Sequence, residues 1–255
     1  MDLWNSILQL PLRSAINTKI TKAFFKRNFD LTVADRYVLD KQMISIELLA
    51  SISPENTNIT LYSADDISYN EIVIVIASIA HDNFTGEHFK VAELINKYIP
   101  YPILLCVYDT EQMVWSTFDK RINQNDTNKR IIEKRHFTEI IPLQDKTPLQ
   151  DKFLNSLVFS NLRKTNLYEL YNSYTERIFA LQASNLNSTF TVRTRSRAQQ
   201  DMLFFEKITK LKQEIESLSN EAKKETQLNK QVNLNLQIQD KRLEMAQLKL
   251  LIVSE

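Results

Sequence analysis

The sequence predicts an α+β fold, with a mixed or mostly antiparallel sheet, flanking helices and a C-terminal helical coiled-coil extension. Two nearly continuous, β-branched apolar runs at 71–79 and 103–108 indicate buried strands. Between them, residues 88–98 place apolar side chains at helical spacing. From Ile208 onward, a seven-residue apolar repeat continues to the end of the chain, which is typical of a coiled coil.

Shorter elements are predicted before the first buried strand. The opening residues form an amphipathic helical segment, in which Ile16, Ile20 and Phe24 recur every four positions among basic side chains. A short helix is expected over residues 35–42. Residues 44–48 alternate apolar and polar side chains, which predicts a half-buried strand.

After the long helix, Pro100 and Pro102 favour its termination and the start of the second buried strand. The alternating stretch 112–118 is expected to pair with that strand as a hairpin. Residues 120–129 are polar and predict a loop. Residues 131–141 predict a further strand, nearer the edge of the sheet because charged residues interrupt it.

The same patterns divide the chain into four segments. The α+β domain covers residues 1–150, and a helical region marked by leucine and tyrosine covers residues 151–183. Residues 184–200 are rich in serine and asparagine and carry alternating arginines, which indicates an extended linker. Residues 201–255 contain the heptads and form the coiled-coil tail.

Composition excludes several classes of protein. The 255 residues are 43% hydrophobic and 25% charged, as in ordinary soluble proteins, and carry a net charge of +1. The single glycine excludes glycine-rich phosphate loops and the dinucleotide fingerprint. The single cysteine, Cys106, excludes an intrachain disulfide and a cysteine-based zinc site. No apolar run is long enough to span a membrane and no signal peptide is evident, so we expect a cytoplasmic protein without membrane partners.

Several stretches of the chain resemble one bacterial protein family. They are AFFKRNFDLT at 23–32, ISIELLASISPENTNI at 44–59, EIVIVIASI at 71–79, INKYIPYPILLCVYD at 95–109, FDKRIN at 118–123 and KKETQLNKQVNLNLQI at 223–238. The most specific features are the run at 99–103 and the Lys120-Arg121 pair that follows the next strand. The family is known only as domain of unknown function 4391. The resemblance implies an α+β domain with a helical extension, encoded beside helicases and DNA methyltransferases in anti-phage islands, and it implies no catalytic residues.

The heptads predict helix packing, in an oligomer or within the chain. The candidate packing residues are Ile208, Leu211, Ile215, Leu218, Asn229, Val232, Leu236, Leu243 and Leu250. Polar residues at three central core positions specify register and lower stability. One arrangement is a continuous dimeric rod about 75 Å long. The other is a hairpin that turns near Asn229 and pairs Ile208 with Leu250.

Basic side chains form two candidate nucleic-acid contacts. Arg193, Arg195 and Arg197 alternate in the expected linker, and an extended chain points all three guanidinium groups one way. Lys120 and Arg121 adjoin the predicted hairpin and are candidates for a phosphate-binding surface. The alternative is an ordinary solvated surface, since the chain has 32 basic and 31 acidic residues.

Catalytic chemistry has little support in the sequence. Asp65, Asp66 and Glu71, with Lys90 further along, outline a restriction-type nuclease core, but the lysine expected on the following strand is missing. The three histidines lack close metal-ligand spacing. Cys106 is expected to be an inert core residue. We therefore predict no catalytic residue, no metal and no cofactor.

Three functions follow as hypotheses. The first is a non-catalytic accessory or assembly subunit of a bacterial anti-phage or restriction-type DNA-targeting complex. Its tail would hold the protein to a second copy, to a larger helicase or methyltransferase subunit, or to both. The second hypothesis is a module that binds DNA or RNA through the basic linker and hairpin. The third is a metal-dependent nuclease.

Overall fold

The chain is a mixed α/β protein that divides into two compact units. The computed structural model describes residues 3–253, apart from the side chains of Asn83, Thr127, Asn128, Asn187 and Arg195. The first unit ends at Leu181 and the second begins at Gln182. The mixed sheet with flanking helices that the sequence predicts is confirmed.

A seven-stranded mixed sheet forms the centre of the first unit. The described residues contain these strands, of which all but β3 and β4 belong to that sheet: β1 (Ala15–Lys19), β2 (Met43–Ile52), β3 (Tyr62–Ala64), β4 (Ile67–Tyr69), β5 (Ile72–Ile79), β6 (Ile103–Tyr108), β7 (Gln112–Asn123), β8 (Asp126–Phe137) and β9 (Ile141–Pro142). The sheet order is β1-β2-β5-β6-β7-β8, with β9 also paired to β7, while β3 and β4 form a separate hairpin. β5 and β6 are parallel, and the other neighbouring strands of the sheet are antiparallel.

Helices surround the sheet and form the second unit. They are α1 (Leu3–Leu8), α2 (Lys22–Asn28), α3 (Val33–Tyr37), α4 (Pro54–Thr57), α5 (Phe84–Tyr98), α6 (Pro148–Ser156), α7 (Leu167–Asn187), α8 (Arg195–Lys224) and α9 (Leu228–Val253). A π-helical turn, Val38–Gln42, leads into β2, and a 3-10 turn, His81–Asn83, leads into α5.

Both faces of β5 are buried, as its apolar sequence predicts. Val73, Val75 and Ala77 pack in one cluster with residues of α5 such as Val91 and Ile95. The alternate residues of β5 point to the opposite face and are equally buried. The buried helix and the two buried strands therefore lie where the sequence places them.

Helix α7 is attached to the second face of the sheet by hydrogen bonds as well as by apolar contacts. The Tyr171 hydroxyl accepts the Phe118 N–H at 2.9 Å and lies 3.1 Å from the Ile103 carbonyl. The hydroxyls of Thr117 and Thr175 are 2.8 Å apart. The helical region expected as a separate segment, 151–183, thus contributes to the same core as the sheet.

Two local predictions were wrong. The segment that contains Ile16 is an edge strand, β1, rather than a helix, because its backbone pairs with β2 and Thr21 caps a new helix after it. Residues 120–129 are not a loop, since β7 and β8 continue through most of them as one long hairpin. Cross-strand pairing outweighs local polarity there, and Arg121 on β7 forms an ion pair with Glu133 on β8 at 2.8 Å.

The stretch expected as an extended linker, 184–200, is largely helical. It contains the end of α7 and the start of α8, so the connection is shorter than the composition indicates. α8 and α9 are joined by residues 225–227, three positions before the predicted turn at Asn229. Glu225 closes this connection by accepting the backbone N–H groups of Thr226 and Gln227, each at 2.8 Å. Among the described residues, none of these three adopts a positive φ, which explains why the turn needs no glycine.

Asp35 links α3 to the end of α5. Its carboxylate accepts hydrogen bonds from Lys97 Nζ and Tyr98 Oη, each at 2.7 Å, and from the Thr32 cap. Burial raises the pKa of Asp35, but these hydrogen bonds outweigh it and lower the pKa to about 2. An unfolded aspartate has a pKa near 3.9.

We predict that Asp35 makes folding sensitive to acid. Because the folded pKa lies below the unfolded pKa, the stabilisation is present above about pH 4 and is lost as the pH falls toward 2. Asp35→Asn should lower the free energy of unfolding at pH 6 by about 1–2 kcal/mol and flatten its decline below pH 4. Urea titrations at several pH values measure this, with Asp65→Asn in the β3–β4 turn as control. An equal acid sensitivity in wild type and Asp35→Asn would contradict the assignment.

Candidate functional site

The second unit contains an antiparallel hairpin of α8 and α9. The predicted packing residues Ile208 and Leu211 are buried within it, and Ile215 and Leu218 are half-buried. Lys207 and Glu244 form an ion pair across the hairpin at 2.7 Å. The α8 half of the heptad pattern therefore packs within the chain.

The face of α9 that packs in the hairpin is not the predicted one. Leu234, Ile238, Leu248 and Ile252 are buried, and Met245 is half-buried among them. These residues, named the inner stripe here, recur at heptad spacing in a frame of their own. The non-helical connection after α8 changes the helical phase, so a frame extended from α8 selects the opposite side of α9.

The predicted packing residues of α9 face solvent. This outer stripe consists of Asn229, Val232, Leu236, Gln239, Leu243, Ala246 and Leu250. Val232, Leu236, Leu243 and Leu250 expose 50%, 55%, 58% and 69% of their surface. Exposed apolar side chains that are clustered on one side of a helix commonly mark an interaction surface, and here Gln239 is the polar position between the two apolar pairs. The outer stripe is therefore a candidate docking surface.

Two of the arginines proposed to contact nucleic acid, Arg193 and Arg197, form ion pairs within the second unit. Arg193 Nη1 donates to Asp201 Oδ2 at 2.9 Å, and Arg197 Nε lies 3.1 Å from Asp201 Oδ1. Arg197 also donates to the carbonyl of Leu251. The side chain of Arg195 lies outside the described part of the structure. The guanidinium groups of Arg193 and Arg197 are held by Asp201 and are therefore not part of an extended array.

The other predicted phosphate contacts are also engaged. Lys120 is buried, and its Nζ donates to the carbonyls of Ile99 at 2.8 Å and Tyr101 at 2.9 Å. Burial lowers the pKa of Lys120, and the charge of Arg130 lowers it further. Lys120 on β7 thus binds the 99–103 run that follows α5, and its role there is structural.

The residues considered for metal chemistry do not converge. Asp65 and Asp66 form the β3–β4 turn, and Glu71 precedes β5, at the end of that strand opposite to Lys90. Within residues 3–253, no group of three or more histidine, cysteine or carboxylate side chains is arranged to hold a metal ion. Cys106 is fully buried, and burial raises the pKa of its thiol.

The three histidines have separate environments. His88 is buried in α5, where burial lowers its pKa, and its Nδ1 lies 2.7 Å from the Phe84 carbonyl. His136 Nε2 lies 3.0 Å from Asp119 Oδ2 on the sheet. His81 follows β5, beside the turn that follows β6.

His81 and Asp109 form an ordered pair that sequence reasoning missed. His81 Nδ1 lies 3.0 Å from Asp109 Oδ2, while Asp109 Oδ1 accepts the N–H groups of Glu111 at 2.7 Å and Gln112 at 2.8 Å. The hydrogen bond to Asp109, the Glu111 charge and the Asp109 charge raise the pKa of His81. One signal was present in the sequence: polar residues directly follow two adjacent apolar runs. Parallel pairing then brings both to the same edge of the sheet.

The protein is thus a mixed α/β protein with a helical hairpin, and the outer stripe of α9 is exposed on that hairpin. The chain belongs to the family described as Domain of unknown function (DUF4391), whose model matches residues 8–245. The comparisons with curated proteins and with solved structures each found no match. Of the helices within residues 3–253, none is long and apolar enough to cross a membrane.

We predict that Arg193 stabilises the second unit by neutralising Asp201. Arg193→Ala removes one partner of the Asp201 carboxylate, and Asp201 is only 3% exposed. The substitution should therefore lower the free energy of unfolding by about 2–3 kcal/mol. In an Asp201→Asn background the same change should cost less than about 1 kcal/mol, because no charge remains to be neutralised. Urea unfolding of the four proteins in this cycle measures both values. Equal costs in the two backgrounds would show that Arg193 does not act through Asp201.

Proposed function

We propose that the protein is a non-catalytic assembly subunit that associates with a second copy through the outer stripe of α9. The supporting observation is the solvent exposure of four large apolar side chains at heptad spacing, on the side of α9 opposite to the hairpin contact. A matching stripe on another helix buries these side chains and completes a coiled coil.

The polar positions of the outer stripe favour a second copy in parallel orientation. In a parallel pair each residue meets itself, so Asn229 hydrogen-bonds Asn229 and Gln239 hydrogen-bonds Gln239. An antiparallel pair with full overlap sets Gln239 against Leu243, which leaves a buried amide unsatisfied. It also brings the two Asp240 carboxylates together.

The residues beside the outer stripe are compatible with the parallel pair. At the flanking positions, Asn235 of one copy faces Asp240 of the other, and Arg242 faces Gln247. Neither pair repels. In a continuous parallel rod, Lys207 of one copy would face Lys212 of the other and the two would repel. This contact does not arise here, because α8 packs within its own chain.

The cellular setting that we propose is a bacterial anti-phage or restriction-type DNA-targeting complex, with a larger helicase or methyltransferase subunit as partner. Its support is the resemblance of the sequence to its family. Affinity purification of the tagged protein from its native host, followed by mass spectrometry, tests this setting. Recovery of the protein without a helicase or a methyltransferase would contradict it and would leave self-association unaffected.

We predict that Leu236→Asp plus Leu243→Asp converts a dimer into a monomer. Each substitution removes an apolar contact and places a carboxylate in the contact, so association should weaken at least about a hundredfold. Light scattering should give twice the 29.9 kDa chain mass for wild type and the single mass for the variant. Circular dichroism should be unchanged, because both side chains are exposed in the single chain.

A matched control is Gln237→Asp plus Leu251→Asp. It adds two carboxylates to exposed positions of the same helix that lie off the outer stripe, and it should remain dimeric. Wild type that is monomeric at all concentrations, or equal dissociation in both variants, would refute the assembly surface.

We predict that Asn229→Cys forms an intermolecular disulfide on mild oxidation. In a parallel pair the two introduced thiols meet across the axis, whereas in the fully overlapping antiparallel pair they lie about 36 Å apart. The native Cys106 is fully buried and does not compete. A non-reducing gel measures the product, and a dimer that fails to cross-link would exclude the parallel orientation.

A further inference from the structure

A groove between α8 and α9 lies beside the outer stripe, toward the connection that joins the two helices. Its volume is about 650 Å³, and Ala222 and Ile238, each 6% exposed, supply its buried apolar lining. The remaining lining consists of the polar side chains Ser219, Lys223, Gln231, Asn235, Gln239 and Arg242. Gln239 also belongs to the outer stripe, so the groove and the proposed contact surface are continuous.

The groove carries positive charge that the hairpin leaves unpaired. Lys223 on α8 and Arg242 on α9 are both exposed, and the lining contains no carboxylate. Neither side chain has an ion-pair partner within the described residues. Elsewhere the hairpin pairs its charges across the two helices, as Lys241 on α9 does with Glu214 on α8. The two cations of the groove are therefore available to a group outside the hairpin.

Asp240 is an unpaired charge of opposite sign on the other side of the outer stripe. It is exposed, and no described residue forms a hydrogen bond or an ion pair with it. Asn235 and Arg242 flank the outer stripe on the side of the groove, whereas Asp240 flanks it on the other side. Residues two positions apart on a helix do not face each other, so Asp240 does not reach the groove of its own chain.

A second copy in parallel orientation brings these two flanks together. The groove-side residue of one helix then faces the residue five positions further along the other, which sets Asn235 against Asp240 of the second copy. Arg242 extends to the same place, because side chains on a helix lean toward its N-terminus and Arg242 lines the groove together with Asn235. Lys223 adds a second cation from α8. Two-fold symmetry repeats the contact at the other groove.

We propose that the groove of each chain receives Asp240 of a second copy, which accepts a hydrogen bond from Asn235 and pairs with Arg242 and Lys223. This inference rests on the proposed self-association and adds the contact that selects its partner and its orientation. In the antiparallel pair the Asp240 carboxylates meet each other, and both grooves keep their unpaired cations. The contact between groove and carboxylate therefore specifies the parallel pair.

Charge reversal tests this contact. Asp240→Lys should weaken the homodimer at least about tenfold, because attraction becomes repulsion in two symmetric contacts. Lys223→Glu plus Arg242→Glu reverses the groove and should weaken its own homodimer to a similar extent. Mixed together, the two variants should form a heterodimer about as tight as the wild-type dimer, since each groove then meets an opposite charge. Sedimentation equilibrium of each variant and of the mixture measures the dissociation constants.

The matched control is Lys212→Glu plus Lys224→Glu, which makes the same change in charge at exposed positions of α8 outside the groove. It should dimerise as wild type does, and circular dichroism should show the same helix content for every variant. A wild-type dimer that Asp240→Lys leaves unchanged, a mixture without heterodimer, or equal weakening by the control would overturn this inference and leave association through the outer stripe standing. Wild type that is monomeric at all concentrations would overturn both.

Discussion

The burial of both faces of β5 and β6 is the constraint on which the rest of the first unit depends. Successive side chains of each strand point to opposite faces of the sheet, and those on both faces are apolar. Each face therefore needs a layer of helices over it. α5 covers one face, and Trp4 of α1 and Tyr171 of α7 contact the other. Parallel neighbours need a crossover, which α5 provides. The two carboxyl ends consequently meet at one edge of the sheet, where His81 and Asp109 form their pair.

Polar groups that enter this core show why buried positions and functional positions must be distinguished. Lys120 and Tyr171 are buried but satisfied, because main-chain groups of neighbouring strands or of the end of α5 bind them. They hold the fold together and are unavailable to a ligand. Gln42 differs, since its side-chain oxygen is buried and lacks a hydrogen-bond partner among the described residues. A polar group in that position is conspicuous only once the neighbouring elements are in place.

The hairpin of the second unit explains how one helix can carry two heptad patterns. The inner stripe of α9 packs within the chain, and Leu248 and Ile252 share a cluster with Ile208 and Leu211 of α8. The outer stripe lies on the opposite side and contributes nothing to that cluster. A helix with one apolar side is sufficient for a hairpin, so the second apolar side favours a further packing partner. The second apolar side is the physical basis of the proposal that the tail associates with a second copy.

Local patterns were sufficient to predict β5, α5, β6 and the helical character of the tail. A strand buried on both faces gives a run of apolar residues, and a helix buried on one side gives apolar residues at helical spacing, and both patterns are visible without knowledge of distant residues. They failed where distant groups decide. The strand β1 and the extension of β7 and β8 form because other strands supply their hydrogen bonds. Arg193 and Arg197 became structural because Asp201 lies within reach. The composition and periodicity of the chain thus set its elements, whereas the free or engaged state of each charged side chain, the phase of α9 and the meeting of His81 with Asp109 depend on three-dimensional contacts that no local pattern records.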